Sequence, residues 1–380
     1  MNEVKDKIPL EHKIFCGTFF YLRTGGFWKP TTIKQQCIGL IVVGSVVDML
    51  TPKEDAFGHF VKNWCLTGIV SHTWSNGVNV ALKRKRILDV LQKKIMIERW
   101  TCFRDPEESK IIEDSKDTEE KVLKYWMSLV FVNGIMNMLV PVITENPDNN
   151  LMWDSWVPCD KRVSSCFYIC WSQQVISWIT ATIIHVSAGT IALNFMERIC
   201  SHFRILQHRL TLVPDLVKKG VLNTAEDELF YLNECIRDHQ NIYSTIVDIS
   251  KIFYPVIFMH FVLILSILCT NIYLLSTVPL FTGDFTAVAL FLCCMMSHFF
   301  IFCWWGYKLT EVGNDVTYTI FSMNWLELRK ETRKRLRFMM LSASKTIPLF
   351  NNFIVDLSPE MFLKILKVSY SAFNLLQTQN

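Results

Sequence analysis

Apolar runs and charged blocks alternate along the chain with little mixing between them. The apolar runs are Cys37–Leu50, short for a span, then Phe60–Leu82, Tyr125–Thr144, Trp171–Met196, Ile252–Leu275, Phe285 to about Trp305, and a last one opening at Pro359. About twenty helical residues cover the ~30 Å hydrocarbon core of a bilayer, so each is a candidate transmembrane helix. The second run is stopped by the basic cluster Lys83-Arg84-Lys85-Arg86, and the third is followed by the turn-rich ENPDNN at 145–150. Between the runs, apolar residues keep helical spacing, as in Ile205, Leu206 and Leu210, and again in Leu229, Leu232 and Ile236. That spacing predicts amphipathic helices over 83–125 and 197–251 that prolong the membrane helices into water. A further amphipathic and basic segment carries Arg329, Lys330, Arg333, Lys334, Arg335 and Arg337.

Composition agrees with a polytopic membrane protein: 51% of the 380 residues are hydrophobic, 27 are Phe, and only 19% are charged. The net charge of +4 says little as a sum. Its distribution says more, because the N-terminal segment and loops two, four and six hold 33 Lys and Arg against 4 in loops one, three and five, Lys62 at the start of the second span being counted with loop one. By the positive-inside rule the N-terminus is cytoplasmic and the C-terminus extracellular. Residues 1–36 are polar and contain no signal peptide, so the first span does the targeting. The expected fold is all-α with seven transmembrane helices. Residues 1–36 form a cytoplasmic N-terminus, 37–325 hold helices one to six with long cytoplasmic extensions, 326–356 form a cytoplasmic anchor segment, and 357–380 form the seventh helix.

Candidate chemistry is sparse. The 13 cysteines form no CxxC pair, and Cys293-Cys294 sits inside a span, where packing explains it. Cys159, Cys166 and Cys170 fall in the extracellular loop before span four, so one disulfide is possible and its connectivity stays open. No phosphate loop, HExxH or GxSxG stands in a supporting context, so no enzyme, metal or cofactor is expected. The run at 83–86 is a cytoplasmic stop, and no nucleic-acid partner is expected. The last helix is unusually polar for a span, with Ser369, Ser371, Asn374 and Gln377. An unpaired polar group in hydrocarbon costs several kcal/mol. Such a helix therefore faces a pore or a bundle interior.

Three stretches carry a family resemblance: SYSAFNLLQ (Ser369 to Gln377), ICSHFRILQHRL (Ile199 to Leu210) and GGFWKP (Gly25 to Pro30). They resemble landmarks of insect odorant receptors, of the odorant-tuning and hymenopteran style more than the longer co-receptor. The resemblance implies a ligand-gated, non-selective cation channel in the plasma membrane of an olfactory sensory neuron. It also implies a tetramer with the odorant co-receptor, a small volatile organic ligand and contact with membrane lipid. The final helix would line the pore, with the gate ring near Asn374 and with Ser371, Leu375 and Gln377 beside it; Asn374 could equally bond a neighbouring helix.

The family's odorant pocket lies in the outer half of spans two to six. Span direction then selects Trp64, His72, Thr73, Asn133, Met136, Asn137, Trp171, Trp178, Ile179, Thr182, Tyr273 and Phe285, with ordinary helix packing as the alternative for each. A histidine in a span, such as His72, suits a polar cavity or a satisfied structural role. Rival classes fit less well. A G-protein-coupled receptor needs an extracellular N-terminus, a secondary transporter would show internal repeats, and a gustatory receptor of the same superfamily would end on a TYxxxxxQF-like motif that is missing here.

Overall fold

A computed structural model describes residue 18 and residues 56–96, 100, 102–143, 164–280, 282–344 and 357–378. The first span, Cys37–Leu50, and the GGFWKP stretch lie outside the described residues. Among the described residues the structure is helical, with no β-strand. Helix α1 (Ala56–Val90) runs into a π-helical turn (Leu91–Ile95), and α2 spans Pro106–Ile143. Helices α3 (Ser164–Lys218), α4 (Ala225–Thr277) and α5 (Gly283–Ser322) are the longest. A 3-10 turn (Trp325–Glu327) leads to α6 (Lys330–Ala343), and α7 covers Pro359–Thr378.

At 1.5 Å per residue, α3 is roughly 80 Å long, well over twice the thickness of a hydrocarbon core. The apolar runs and the amphipathic stretches next to them are therefore single unbroken helices. Three helices, within α3, α4 and α5, are long and apolar enough to cross a membrane on length and composition alone.

Local sequence explains where these helices turn. At the end of α3, Gly220 adopts φ +71°, a conformation that favours glycine. The Gly220 N–H donates to the Val217 carbonyl at 3.1 Å and the Val221 N–H to the Leu216 carbonyl at 2.9 Å. This pair of bonds is a Schellman closure. Four residues later Thr224 opens α4 with a reciprocal capping box to Asp227. Inside α4, Pro255 has no N–H to give the carbonyl four residues back. Lys83 compensates from α1, donating to the Lys251 carbonyl at 3.5 Å and the Ile252 carbonyl at 2.7 Å.

Helix α3 is the axis of the bundle. Every residue from Ile184 to Phe203 is buried, and α1, α2, α4 and α5 pack around it. On the outside, Phe131, Val132, Ile135, Ile176, Ile179, Met259, Val262, Phe300 and Trp304 stay exposed. In a bilayer these side chains meet acyl chains rather than water. Beyond the apolar belt several charged residues are buried among apolar ones, and they are paired. Arg209 bonds Glu108 through two nitrogens, at 2.6 and 2.9 Å, and Asp238 at 2.9 Å. Arg198 pairs with Glu119 at 2.7 Å. Glu197 accepts from Lys308 at 2.7 Å and from the Trp305 indole at 3.0 Å. Helix α6 buries Thr332, Leu336, Met339 and Ala343 and turns Lys334, Arg335 and Arg337 outward.

Helix α7 packs on α4 and α5. It buries Ile365, Ser369 and Phe373, four residues apart on one face, and Phe362 meets the rings of Phe299 and Phe300 at 5.6 and 5.5 Å. Cys166 is disulfide-bonded and Cys170 is a free thiol, as are Cys293 and Cys294.

Candidate ligand-binding site

Two adjoining cavities lie among α1, α2, α3, α4 and α5. The larger is lined by Ile69, Val70 and Thr73 from α1, Val130, Asn133 and Asn137 from α2, Trp178, Ala181, Thr182 and His185 from α3, and Phe291, Cys294 and Met295 from α5. It offers about 70 Å³ of space to the centres of water-sized spheres, enough for several waters or a small organic group. Its wall is mostly apolar with a few polar groups. Asn137 donates to the Asn133 carbonyl at 2.8 Å, and the Thr73 hydroxyl meets His185 Nδ1 at 3.2 Å. Gly134 shapes this wall: a Cβ there would fall 1.6 Å from the Trp178 ring, so only glycine lets the indole lie flat against α2.

The second cavity lies further along the same helices and shares His185 with the first. Ala188, Gly189 and Ala192 give it a small-residue floor on α3, and His72, His260 and His298 enter from α1, α4 and α5. The four imidazoles form one cluster. Ring centroids are 4.6 Å apart for His72 and His260, 4.6 Å for His260 and His298, and 5.0 Å for His185 and His298. Trp126 closes the cluster edge-on at 3.7 Å from His298. All four histidines are buried, yet the Nε2 atoms of His72, His185 and His260 and both ring nitrogens of His298 find no hydrogen-bond partner among the described residues. A buried polar group left in that state costs about 1–3 kcal/mol. No group of three or more His, Cys, Asp or Glu among the described residues has an arrangement that could hold a metal ion.

Of the residues selected from the sequence, Thr73, Asn133, Asn137, Trp178 and Thr182 line the larger cavity and His72 the deeper one. The others do not line either. The Trp64 indole donates to the Ser266 hydroxyl at 3.3 Å, tying α1 to α4. Ile179 is 41% exposed, facing away from the bundle. Trp171 packs beside Cys166 and Cys170, and Met136, Tyr273 and Phe285 are half-buried outside both linings. Three histidines escaped the sequence reading, as did Gly134. A lone His in each of four spans was the available signal.

On α7, Ser371 and Asn374 are exposed, opposite the face that packs on α4 and α5. Leu375 and Gln377 belong to the same helix, and their side chains lie outside the described residues.

A family model described as 7tm Odorant receptor matches residues 56–370. The chain belongs to the seven-transmembrane odorant receptor family. It is 22% identical to odorant receptor 2a of Drosophila melanogaster over 309 residues, 78% of this chain and 77% of that one. Odorant receptor 67a of the same species is 20% identical over 359 residues, covering 88% of this chain and 84% of the relative. Other alignments are shorter: with odorant receptor 94a the match is 24% over 225 residues, 56% of that relative. The solved structure of the olfactory receptor OR5 from Machilis hrabei in complex with eugenol superposes with a TM-score of 0.80 at 13% identity, covering 96% of this chain and 97% of OR5. The fold is accordingly the seven-helix odorant receptor fold, and these relatives are receptors rather than enzymes.

Proposed function

We propose that this receptor is the odorant-tuning subunit of a ligand-gated, non-selective cation channel in the plasma membrane, assembled as a tetramer with the odorant co-receptor. The observation that carries the reading is the larger cavity, where Thr73, Asn133, Asn137, Trp178 and Thr182 converge from three helices on a mostly apolar space. A small volatile needs such a site: apolar area for affinity and a few polar groups for orientation. At ~0.3–1.5 kcal/mol per heavy atom, a ten-atom odorant reaches roughly micromolar affinity. That OR5 was solved with eugenol, a compact aromatic volatile, supports a ligand of this size.

The outward face of α7, with Ser371 and Asn374, lines the pore together with Leu375 and Gln377, and the neighbouring subunits supply the rest of the ring. The N-terminus is cytoplasmic and the C-terminus extracellular in this reading, which the charge distribution supports. The distal halves of α3 and α4 and the whole of α6 form the cytoplasmic anchor. Gating requires a ligand that binds the open arrangement better than the closed one. Phe362 of α7 seated on Phe299 and Phe300 of α5 offers the mechanical link from cavity to pore.

Two-electrode voltage clamp on cells expressing this chain with and without the co-receptor, under G-protein block, tests the proposal with a broad volatile panel. Odorant-evoked cation current that persists under block and depends on the co-receptor is expected. Loss of the current under block would refute a channel and favour a G-protein-coupled receptor. An epitope tag at Met1 that is stained in unpermeabilised cells would overturn the topology.

A further inference from the structure

The deeper cavity sets four buried imidazoles among otherwise mostly apolar walls. Its space for the centres of water-sized spheres is about 20 Å³, against about 70 Å³ in the larger cavity. Since ~10–15 Å³ by this measure admits one water, the deeper cavity admits one or two water-sized groups, such as the two oxygens of a carboxyl, and nothing bigger. Its polar wall consists of imidazoles from four helices, each more than nine-tenths buried, with five ring nitrogens lacking a partner among the described residues.

We infer that the four-histidine cavity is a head-group subsite for the carboxyl of a straight-chain carboxylic acid, whose alkyl tail occupies the adjoining larger cavity. The inference rests on the odorant-gated reading above and narrows its ligand class. A neutral imidazole offers one N–H donor and one bare nitrogen acceptor. A carboxyl group offers the complement on two separate oxygens, an O–H that donates to a bare ring nitrogen and a C=O that accepts an N–H from a second ring.

Neighbouring rings whose centroids stand 4.6 Å apart, as in His72 with His260 and His260 with His298, come from different helices, so a two-point contact at the cavity would bridge two of them. An alcohol has one oxygen for both jobs, and an ester has no donor. Hydrogen bonds between an acid and a base are also stronger than neutral ones, and more so away from water. The shared wall supplies the continuity. His185 lines both cavities and is oriented by the Thr73 hydroxyl at 3.2 Å. Gly189 brings the α3 backbone beside the subsite, where a Cβ would stand 3.8 Å from His298 Nε2 in ordinary contact.

The test is a concentration series of butanoic to decanoic acids, their methyl esters and the matching primary alcohols, on cells expressing the full chain with the co-receptor and on cells lacking the chain. The best acid is expected to be about tenfold more potent than its methyl ester, the equivalent of one buried hydrogen bond. His298→Leu is expected to weaken the acid about tenfold while leaving the ester unchanged, and His298→Asn, which keeps a donor and an acceptor, to restore part of the difference. A histidine needed only for structure would shift acid and ester alike, and that result overturns the inference. So does equal potency of acid and ester on the unaltered receptor, a comparison that needs no variant to fold. Currents from other volatiles with silence to every acid overturn this inference alone. Silence to every volatile, with surface expression of both subunits confirmed, overturns the odorant-gated reading itself.

Discussion

Replacing Arg209 with methionine puts the buried charge network to a quantitative test. The guanidinium is 1% exposed and serves two carboxylates, Glu108 and Asp238, that are fully buried. It also lies 5.3 Å from the Trp100 ring, which excludes water from its remaining face. Burial alone would lower its pKa, and the hydrogen bonds and charges of Glu108 and Asp238 outweigh that and hold it above the ordinary value. Arg209→Met keeps the volume and strands two anions in one apolar site. Removing one partner of a buried pair costs about 3–5 kcal/mol. With two carboxylates left behind, the upper end applies, and the thermal midpoint should fall by roughly 10 °C. Adding Glu108→Gln and Asp238→Asn to the same chain discharges both sites and should recover most of the loss, because the penalty comes from the uncompensated charges. Lys124→Ala, which breaks an exposed pair with Glu120, is the control and should cost under about 1 kcal/mol. The assay is fluorescence-detected size exclusion after heating, on the chain solubilised with the co-receptor. A fall of under roughly 2 °C for Arg209→Met, or no recovery in the neutral triple variant, would refute the reasoning.

Gly134→Ala should drive the Trp178 ring out of its place, since the new Cβ would lie 1.6 Å from it, and shift the potency of cavity ligands about tenfold; an unchanged concentration–response curve would show that no ligand touches this wall. Gly306→Ala should act on coupling rather than binding, because its Cβ would fall 2.2 Å from the Leu357 side chain and 2.6 Å from the Leu357 carbonyl, wedging α5 from the chain that enters α7. A lower maximal current at saturating ligand, with the rank order of ligands retained, is the expected outcome. Glu119 gives a pH dependence: burial raises its carboxyl from 4.5 to about 7 despite the nearby Arg198. The folded state then holds a proton that the unfolded chain has released, so stability falls as pH rises from 4.5 to about 7 and levels off beyond. The change is about 3 kcal/mol at 1.36 kcal/mol per pH unit, and Glu119→Gln should abolish it in melting curves taken across that window.

The helices were legible because their signal is local. Ile205, Leu206, Leu210 and Leu232, chosen by spacing alone, are all buried on α3 and α4. The lengths of α3 and α4 follow from that spacing continuing past the apolar runs into the charged ones. The cavity was legible in part, and the reason is visible at two adjacent residues. Trp178 lines the larger cavity while Ile179 is turned outward. Neighbours on a helix point about 100° apart, and in water one of them would be polar and betray the outward face. In a bilayer both directions are apolar, so the pattern along span four does not say which side of the helix meets protein.

Polar residues escape that degeneracy, because lipid excludes them, and Thr73, Asn133, Asn137 and Thr182 accordingly share one lining. The histidine cluster needed one step more. Each of His72, His185, His260 and His298 is the one histidine in its own span, and each alone is compatible with a quiet structural role. Only the rotation and depth of four helices around α3 bring their rings to within 4.6–5.9 Å of one another. An intramembrane histidine without a partner is therefore best treated as one member of a set still to be assembled, and its neighbours sought at equal depth on the other spans.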